Sequence, residues 1–239
     1  MIPAYNEESR LPGTLDRLES FLSSRSWSFL EVIVVDDGST DSTAALVCAR
    51  TSSWNTLRLL RNPGNHGKGY AVRQGMLNAR GVWILSTDAD LSAPIEEVDK
   101  LFAAVEQGGV EVAIGSRAVD RSLVSVHQSA LRELSGRLFN LVMRQVAGLP
   151  FQDTQCGFKL FHRDAARRIF PLQTLDRFGF DVEDLFIARR LGIPTVEVGV
   201  RWANVEGTKV SLASGLDAFL DLARIRLRDL RGRYRERKP

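Results

Sequence analysis

The sequence predicts an α/β fold, a mostly parallel, doubly wound sheet flanked by helices, with an amphipathic helix at the C-terminal end. Three observations carry this. Short apolar, β-branched runs alternate with helical patterns over residues 1–116. Two of those runs, 57–61 and 82–87, are nearly continuous in apolar residues, as strands covered on both faces are. Three runs end in polar chemistry, at the edge where open α/β sheets bind ligands: Asp36-Asp37-Gly38-Ser39, Asp88-Ala89-Asp90 and Gly115-Ser116-Arg117.

The elements follow in order. Only Met1 and Ile2 precede Pro3, fewer than the roughly five residues of an ordinary strand. The first strand is therefore expected as a stub, or as one whose beginning is missing from the sequence. Leu11, Leu15, Leu18 and Leu22 recur at helical spacing and predict a helix over 8–23. Glu31–Asp36 predicts a strand, and Ser39-Thr40-Asp41 caps a helix over 41–51. Strands over 57–61, 82–87 and 111–116 alternate with helices over 69–79 and 95–107. Alternation stops near 118–126. A helical stretch, 127–147, follows, and Thr195–Arg201 is the last predicted strand. This divides the chain into one domain, 1–211, with halves at about 1–117 and 118–211, and a basic helix and tail, 212–239.

Composition narrows the classes. With 44% hydrophobic residues, the 239-residue chain can bury a sizeable core. No run approaches the roughly 18 apolar residues of a membrane span, and MIPAYNEESR lacks the pattern of a signal peptide. Cys48 and Cys156 lie far apart in no metal or redox spacing, which fits a reduced, cytoplasmic setting. The net charge of +3 is concentrated from Arg224 onward, RIRLRDLRGRYRERKP. This is read as a solvated basic tail, and no nucleic-acid partner is expected.

Asp88 and Asp90 pose the main question. On an extended segment, residues two apart face the same side, and like charges there repel. Hard oxygen donors suit Mg²⁺ or Mn²⁺, and Mg²⁺ often combines one or two carboxylates with substrate phosphates. A divalent cation carrying a diphosphate would supply the missing positive charge. The alternative is that the triplet merely starts the helix at Ile95. Gly64, Gly67 and Gly69 surround Lys68 at a helix start, where phosphate oxygens are favoured. The spacing is not that of an ATP-binding loop, and an ordinary Gly-rich turn is the alternative.

IPAYNEE (2–8), VVDDGSTDST (34–43), NHGKGYAVRQG (65–75), TDADLSAP (87–94), GSR (115–117), DTQCGFKLF (153–161) and GFDVEDL (179–185) occur in this order. As an ordered set they resemble the family 2 glycosyltransferases of GT-A (Rossmann-like) fold. More narrowly, they resemble the polyprenyl-phosphate sugar transferases, the dolichyl-phosphate β-glucosyltransferase and mannose synthase branches. The resemblance covers roughly residues 2–210 and makes 1–117 the nucleotide-binding half and 118–211 the acceptor half. It implies donor contacts from Pro3, Tyr5, Glu7, Asp37, Lys68, Asp88, Asp90 and Lys209. Asp37 would read the base, Asp88 would reach the ribose or metal, and Asp90 would be the main metal ligand. For Tyr5 the alternative is a core aromatic, for Asp37 a helix cap. Ser92 stands where mannose synthases often carry a glutamine, so no third protein ligand is implied.

On the acceptor side, a polyprenyl phosphate is already ionised and needs no general base; arginines hold it through forked donors. The resemblance places Arg117 and Arg132 there, with Asp153 and Gln155 approaching the sugar; a solvated helix charge is the alternative for Arg132. Asp181 or Glu183 is assigned to sugar contact or acceptor positioning. The segment from Trp202 to Lys209 resembles one that closes over the donor, and its W-x-x-x-E-G-T-K pattern is nearer the glucosyltransferase branch. From Leu212, apolar residues recur at 216, 219, 220, 223, 227 and 230 among Arg224, Arg228 and Arg231. This stripe either lies on an anionic membrane or packs on the domain. The expected function is inverting, metal-dependent transfer of glucose from UDP-glucose to polyprenyl (dolichyl or undecaprenyl) phosphate, by a peripheral protein at the cytoplasmic membrane face. Use of GDP-mannose or a saccharide hydroxyl is the alternative.

Overall fold

The computed structural model describes residues 1–126, 145, 147–204 and 213–235. Strands β1 (Ile2–Ala4), β2 (Val32–Asp36) and β3 (Leu57–Arg61) pair in parallel, in the order β1-β2-β3. Strands β4 (Trp83–Ser86), β5 (Val112–Ser116), β7 (Lys159–His162) and β8 (Thr195–Gly199) pair in the order β4-β7-β5-β8. A small parallel pair is formed by β6 (Val124–Val126) and β9 (Trp202–Ala203). The Met1 ammonium donates to Leu85 O at 2.6 Å, and Thr87 N donates to Met1 O at 3.1 Å. That is the pattern of a parallel pair, and it joins the two larger sheets into one, β3-β2-β1-β4-β7-β5-β8. Only β7 in that sheet runs antiparallel.

The N-terminal strand has three residues in this sequence and lies inside the sheet, with β2 on one side and β4 on the other. The other five predicted strands are present. Burial is distributed differently from expectation: β2 and β5 are buried throughout, while β3, at the edge, buries only Leu57. On β2, Ile33 and Val35 enter one apolar layer, and Val32 and Val34 the other. The alternation of a pleated strand therefore yields a continuous apolar run when both faces are covered.

Helices α1 (Leu11–Ser23), α2 (Thr43–Thr51), α3 (Lys68–Asn78) and α4 (Val98–Glu106) match the predicted ones. Three residues were not foreseen as the start of a 3-10 turn, Ile95–Glu97, which precedes α4. Also not expected from sequence were β6, β7, β9, α5 (Arg163–Ile169) and α6 (Phe180–Arg190). Helix α7 spans Ala213–Leu230. Its Leu222 and Ile225, and Tyr234 beyond it, join the core layer that contains Leu185 and Phe186 of α6.

Candidate active site

The carboxyl ends of β2, β4 and β5 reach one edge of the sheet. Because β7 is antiparallel, the turn leading into it, Cys156–Phe158, reaches that edge too. Asp88 follows β4, and its Oδ1 lies 2.7 Å from Lys68 Nζ at the start of α3. Gly157 lies against the same carboxylate: a Cβ there would be 2.5 Å from Asp88 Oδ2, so no other residue fits without displacing it. Lys68 follows Gly67, whose φ of +112° turns the chain against Asp176 O.

Asp88 and Asp90 do not lie on an extended segment, as the spacing argument assumed. The chain turns at Ala89-Asp90, with Leu91 at φ +48°, a conformation that costs a non-glycine residue about 1–2 kcal/mol. The turn is held from outside. Thr14 Oγ1 donates to Ala89 O at 2.6 Å, Ser92 N to Asp90 Oδ1 at 3.0 Å, and Ala203 N to Ser92 O at 2.9 Å. The two carboxylates consequently meet different cations, Lys68 at Asp88 and Arg10 Nη1 at 3.9 Å from Asp90 Oδ2. The chain therefore supplies positive charge that the spacing alone did not reveal.

The charges nevertheless converge. Burial works against the Lys68 ammonium, but Asp88, then Asp181 and Asp90, outweigh it and hold it above the ordinary lysine range. Burial would raise Asp88; Lys68, Lys159 and Arg117 bring it below the usual carboxylate range. Lys159 is 3% exposed and donates to Cys156 O at 2.7 Å and to Asp181 Oδ1. A recess of about 10 Å³ beneath Asp88 is lined by Thr87, Ser92, Cys156, Gly157 and Trp202. It has room for about one water, so a larger ligand would lie on the open edge above.

Arg117, following β5, is gripped by Asp153. Nε and Nη2 donate to its two oxygens at 2.6 and 2.8 Å, and Arg117 N donates at 3.0 Å. Burial lowers the guanidinium's pKa, but Asp153 more than compensates and raises it. Glu197 on β8 accepts from Gln152 N and Asp153 N, both at 2.7 Å, and so braces the loop. The guanidinium lies 5.4 Å above the Trp202 ring, a cation–π contact. Asp153 was expected at the sugar; its oxygens are instead committed to Arg117 and to the backbone N–H of Gln155.

Other expected residues are placed as follows. Pro3 lies in β1, and Tyr5 and Glu7 follow it at the same edge. Glu7 forms a two-bond pair with Arg10, at 2.7 and 2.8 Å. Asp37 caps no helix; its oxygens accept from Asn62 Nδ2, His66 N and Gly67 N at 2.7, 3.1 and 2.7 Å, bracing the loop before α3. Glu183 is separate from the Asp88 cluster. It is fully buried and accepts from Thr174 N, Thr174 Oγ1, Leu175 N and the Tyr234 hydroxyl. Those donors meet both oxygens, so Glu183 braces the Thr174–Leu175 turn against Tyr234. Arg132 and Lys209 lie outside the described residues. Sequence reasoning missed Lys159, Arg10 and Glu197; for Lys159 the available signal was a lysine inside the apolar run FKLF.

For a divalent cation, the donor chemistry at this edge is all carboxylate oxygen, from Asp88 and Asp90. No cluster of three His, Cys, Asp or Glu able to hold a metal exists among the described residues. Two carboxylates with substrate phosphates suffice for Mg²⁺-type binding, so the residues fit a cation brought in with a diphosphate rather than a dedicated cage.

The sheet order is that of a GT-A fold, and solved structures share it. Mannosyl-3-phosphoglycerate synthase from Rubrobacter xylanophilus superposes with a TM-score of 0.67 at 21% identity, over 99% of this chain and 75% of that one. Glucosyl-3-phosphoglycerate synthase from Mycobacterium tuberculosis, in complex with Mn²⁺, UDP-glucose and phosphoglyceric acid, gives 0.63 at 21% identity, over 94% and 77%. The Glycosyl transferase family 2 model matches residues 1–170, and the chain belongs to that family of glycosyltransferases. Among relatives, the dolichyl-phosphate β-glucosyltransferase of Drosophila melanogaster is 40% identical over 98% of this chain and 76% of its own length. That of Dictyostelium discoideum is 39% identical over 97% and 74%.

Proposed function

We propose that the protein transfers glucose from UDP-glucose to a polyprenyl phosphate, dolichyl or undecaprenyl, with inversion, at the cytoplasmic face of a membrane. The observation that carries this reading is Arg117, aimed by Asp153 at the edge that holds the Asp88 cluster. A guanidinium beside a donor site suits a phosphate acceptor; with Nε and one Nη2 hydrogen held by Asp153, Nη1 and the second Nη2 hydrogen would be the donors to it. Asp181, a carboxylate that a hydroxyl acceptor could use as a base, is tied to Lys159 instead. The relatives' names point to the same acceptor and sugar, and a structural neighbour binds UDP-glucose with Mn²⁺.

In this reading Pro3, Tyr5 and Asp37 flank the nucleotide, and Lys68 exchanges Asp88 for diphosphate oxygens. Asp88 and Asp90 would hold Mg²⁺ or Mn²⁺, which offsets charge on the departing diphosphate. Arg117 orients the acceptor phosphate so that one oxygen attacks the anomeric carbon as the bond to UDP breaks. No proton has to be removed, and Asp181 contacts the sugar rather than acting as a base.

Helix α7 supports contact with the membrane. Its inner face, Leu222 and Ile225, is buried, while Leu220, Leu227 and Leu230 are 54%, 47% and 83% exposed. At 3.6 residues per turn these leucines and Ala223 share one outer face, bordered by exposed Arg224 and Arg231 on one side and Arg226 on the other. An apolar stripe between arginines matches an anionic lipid surface. No helix among the described residues is long and apolar enough to cross a membrane.

Kinetics of point variants test the assignment. Arg117→Ala should weaken acceptor use about ten- to a hundredfold, from the loss of charge-assisted hydrogen bonds, with donor affinity nearly unchanged. Arg117→Lys should not rescue it, since lysine cannot reproduce the planar fork. Asp90→Asn should abolish transfer in a folded protein. Wild-type acceptor kinetics in both arginine variants would remove the phosphate acceptor from the reading.

A further inference from the structure

Lys159 is a buried cation that the reaction scheme above does not use. It lies on β7, between β4 and β5, where its Cα is level with Ser86 and Ile114. The flanking Phe158, Leu160 and Phe161 are core residues. Stability does not account for a lysine there: replacing a buried ion pair by packed apolar residues is often neutral or stabilising. Its contacts suggest another reason. Through Cys156 O it anchors the turn whose Gly157 forms the wall behind Asp88. Through Asp181 it holds the first turn of α6. One ammonium group therefore ties the turn that backs Asp88 to the helix that carries Asp181.

We infer that Lys159 is a positioning residue for glycosyl transfer: it fixes Asp181 relative to Asp88, so that the sugar-side carboxylate and the diphosphate-side carboxylate keep one spacing. The inference rests on the proposed sugar contact of Asp181, and it goes beyond that reading by giving the contact its support.

A double-mutant cycle tests it, with Lys159→Met, Asp181→Asn and the double variant assayed for kcat, donor KM and thermal stability. Lys159→Met should lower kcat by about tenfold or more while donor KM stays within about threefold. In the Asp181→Asn background the same substitution should change kcat by less than about twofold, because its effect has already been lost. Lys159→Gln guards against a folding failure. It carries no charge but keeps an amide donor for Cys156 O, so it should lose kcat as Lys159→Met does with a smaller loss of stability. The inference is overturned by additive losses in the cycle, by wild-type kcat in Lys159→Gln, or by wild-type kcat in Asp181→Asn. Failure of the functional reading is separately visible, as absence of hexosyl transfer by the wild-type protein from any nucleotide sugar.

Discussion

Asp184 is a residue whose cost the structure explains. It is 2% exposed on α6, and its Oδ1 meets no donor among the described residues. Burial, then Glu183 and Asp181, push its carboxyl well above the usual carboxylate range. A carboxyl kept neutral in the folded state destabilises it wherever the unfolded chain ionises, above about pH 4. Asp184→Asn should therefore stabilise the protein at pH 7, by roughly 1–3 kcal/mol. The gain should disappear below about pH 4, where both states are protonated; denaturant melts at the two pH values check this. Cys156 offers a second test, because burial, then Asp153, push its thiol up to about 11. Iodoacetamide at pH 8 should label exposed Cys48 and spare Cys156 until the protein is unfolded, as peptide mass mapping would show. At this scale Asp88, Lys68 and Arg117 were legible because strand-end motifs announce them. The partner of Arg117 was not, since Asp153 lies 36 residues away and only the fold brings it there. The contacts of Glu183 were not legible for a related reason: its donors include Tyr234, 51 residues on.

Among elements, the parallel strands were legible because both faces are covered, and their sequences are correspondingly apolar. Helix α6 was not, for the same physical reason: Phe180 to Ala188 are all buried, so no polar face marks a helical period. Strand β7 is four residues long and carries a lysine and a histidine, too little for a pattern. The stripe on α7 was legible as a stripe, but its direction was not. The residues that pack inward, Leu222 and Ile225, fall between those the spacing selected. The two faces should separate experimentally. Ile225→Ala should cost about 2–5 kcal/mol of stability, as core truncations do, with little effect on binding to liposomes per folded molecule. Leu227→Ser with Leu230→Ser should leave the melting temperature nearly unchanged and reduce retention on anionic liposomes in flotation assays. Equal retention of that double variant and the wild type would assign the outer face another role.

For the molecule as a whole, the sheet order places one antiparallel strand among parallel ones, and this carries the Cys156–Phe158 turn to the edge where β4 and β5 end. The site is thus built from both halves of the chain, Lys68 and Asp88 from the first, Arg117, Asp153 and Asp181 around the junction and beyond it. Neither half holds the charge cluster alone. The central claim is that this edge moves a hexose from a nucleotide onto a lipid phosphate. The most direct measurement incubates the purified protein with Mn²⁺ or Mg²⁺, a polyprenyl phosphate and each of a panel of radiolabelled UDP- and GDP-sugars, followed by extraction into organic solvent. The account predicts label in the organic phase with UDP-glucose, dependent on polyprenyl phosphate and lost in chelator and in Asp90→Asn. Label that appears only with another donor, or that enters a water-soluble saccharide without the lipid, would contradict it.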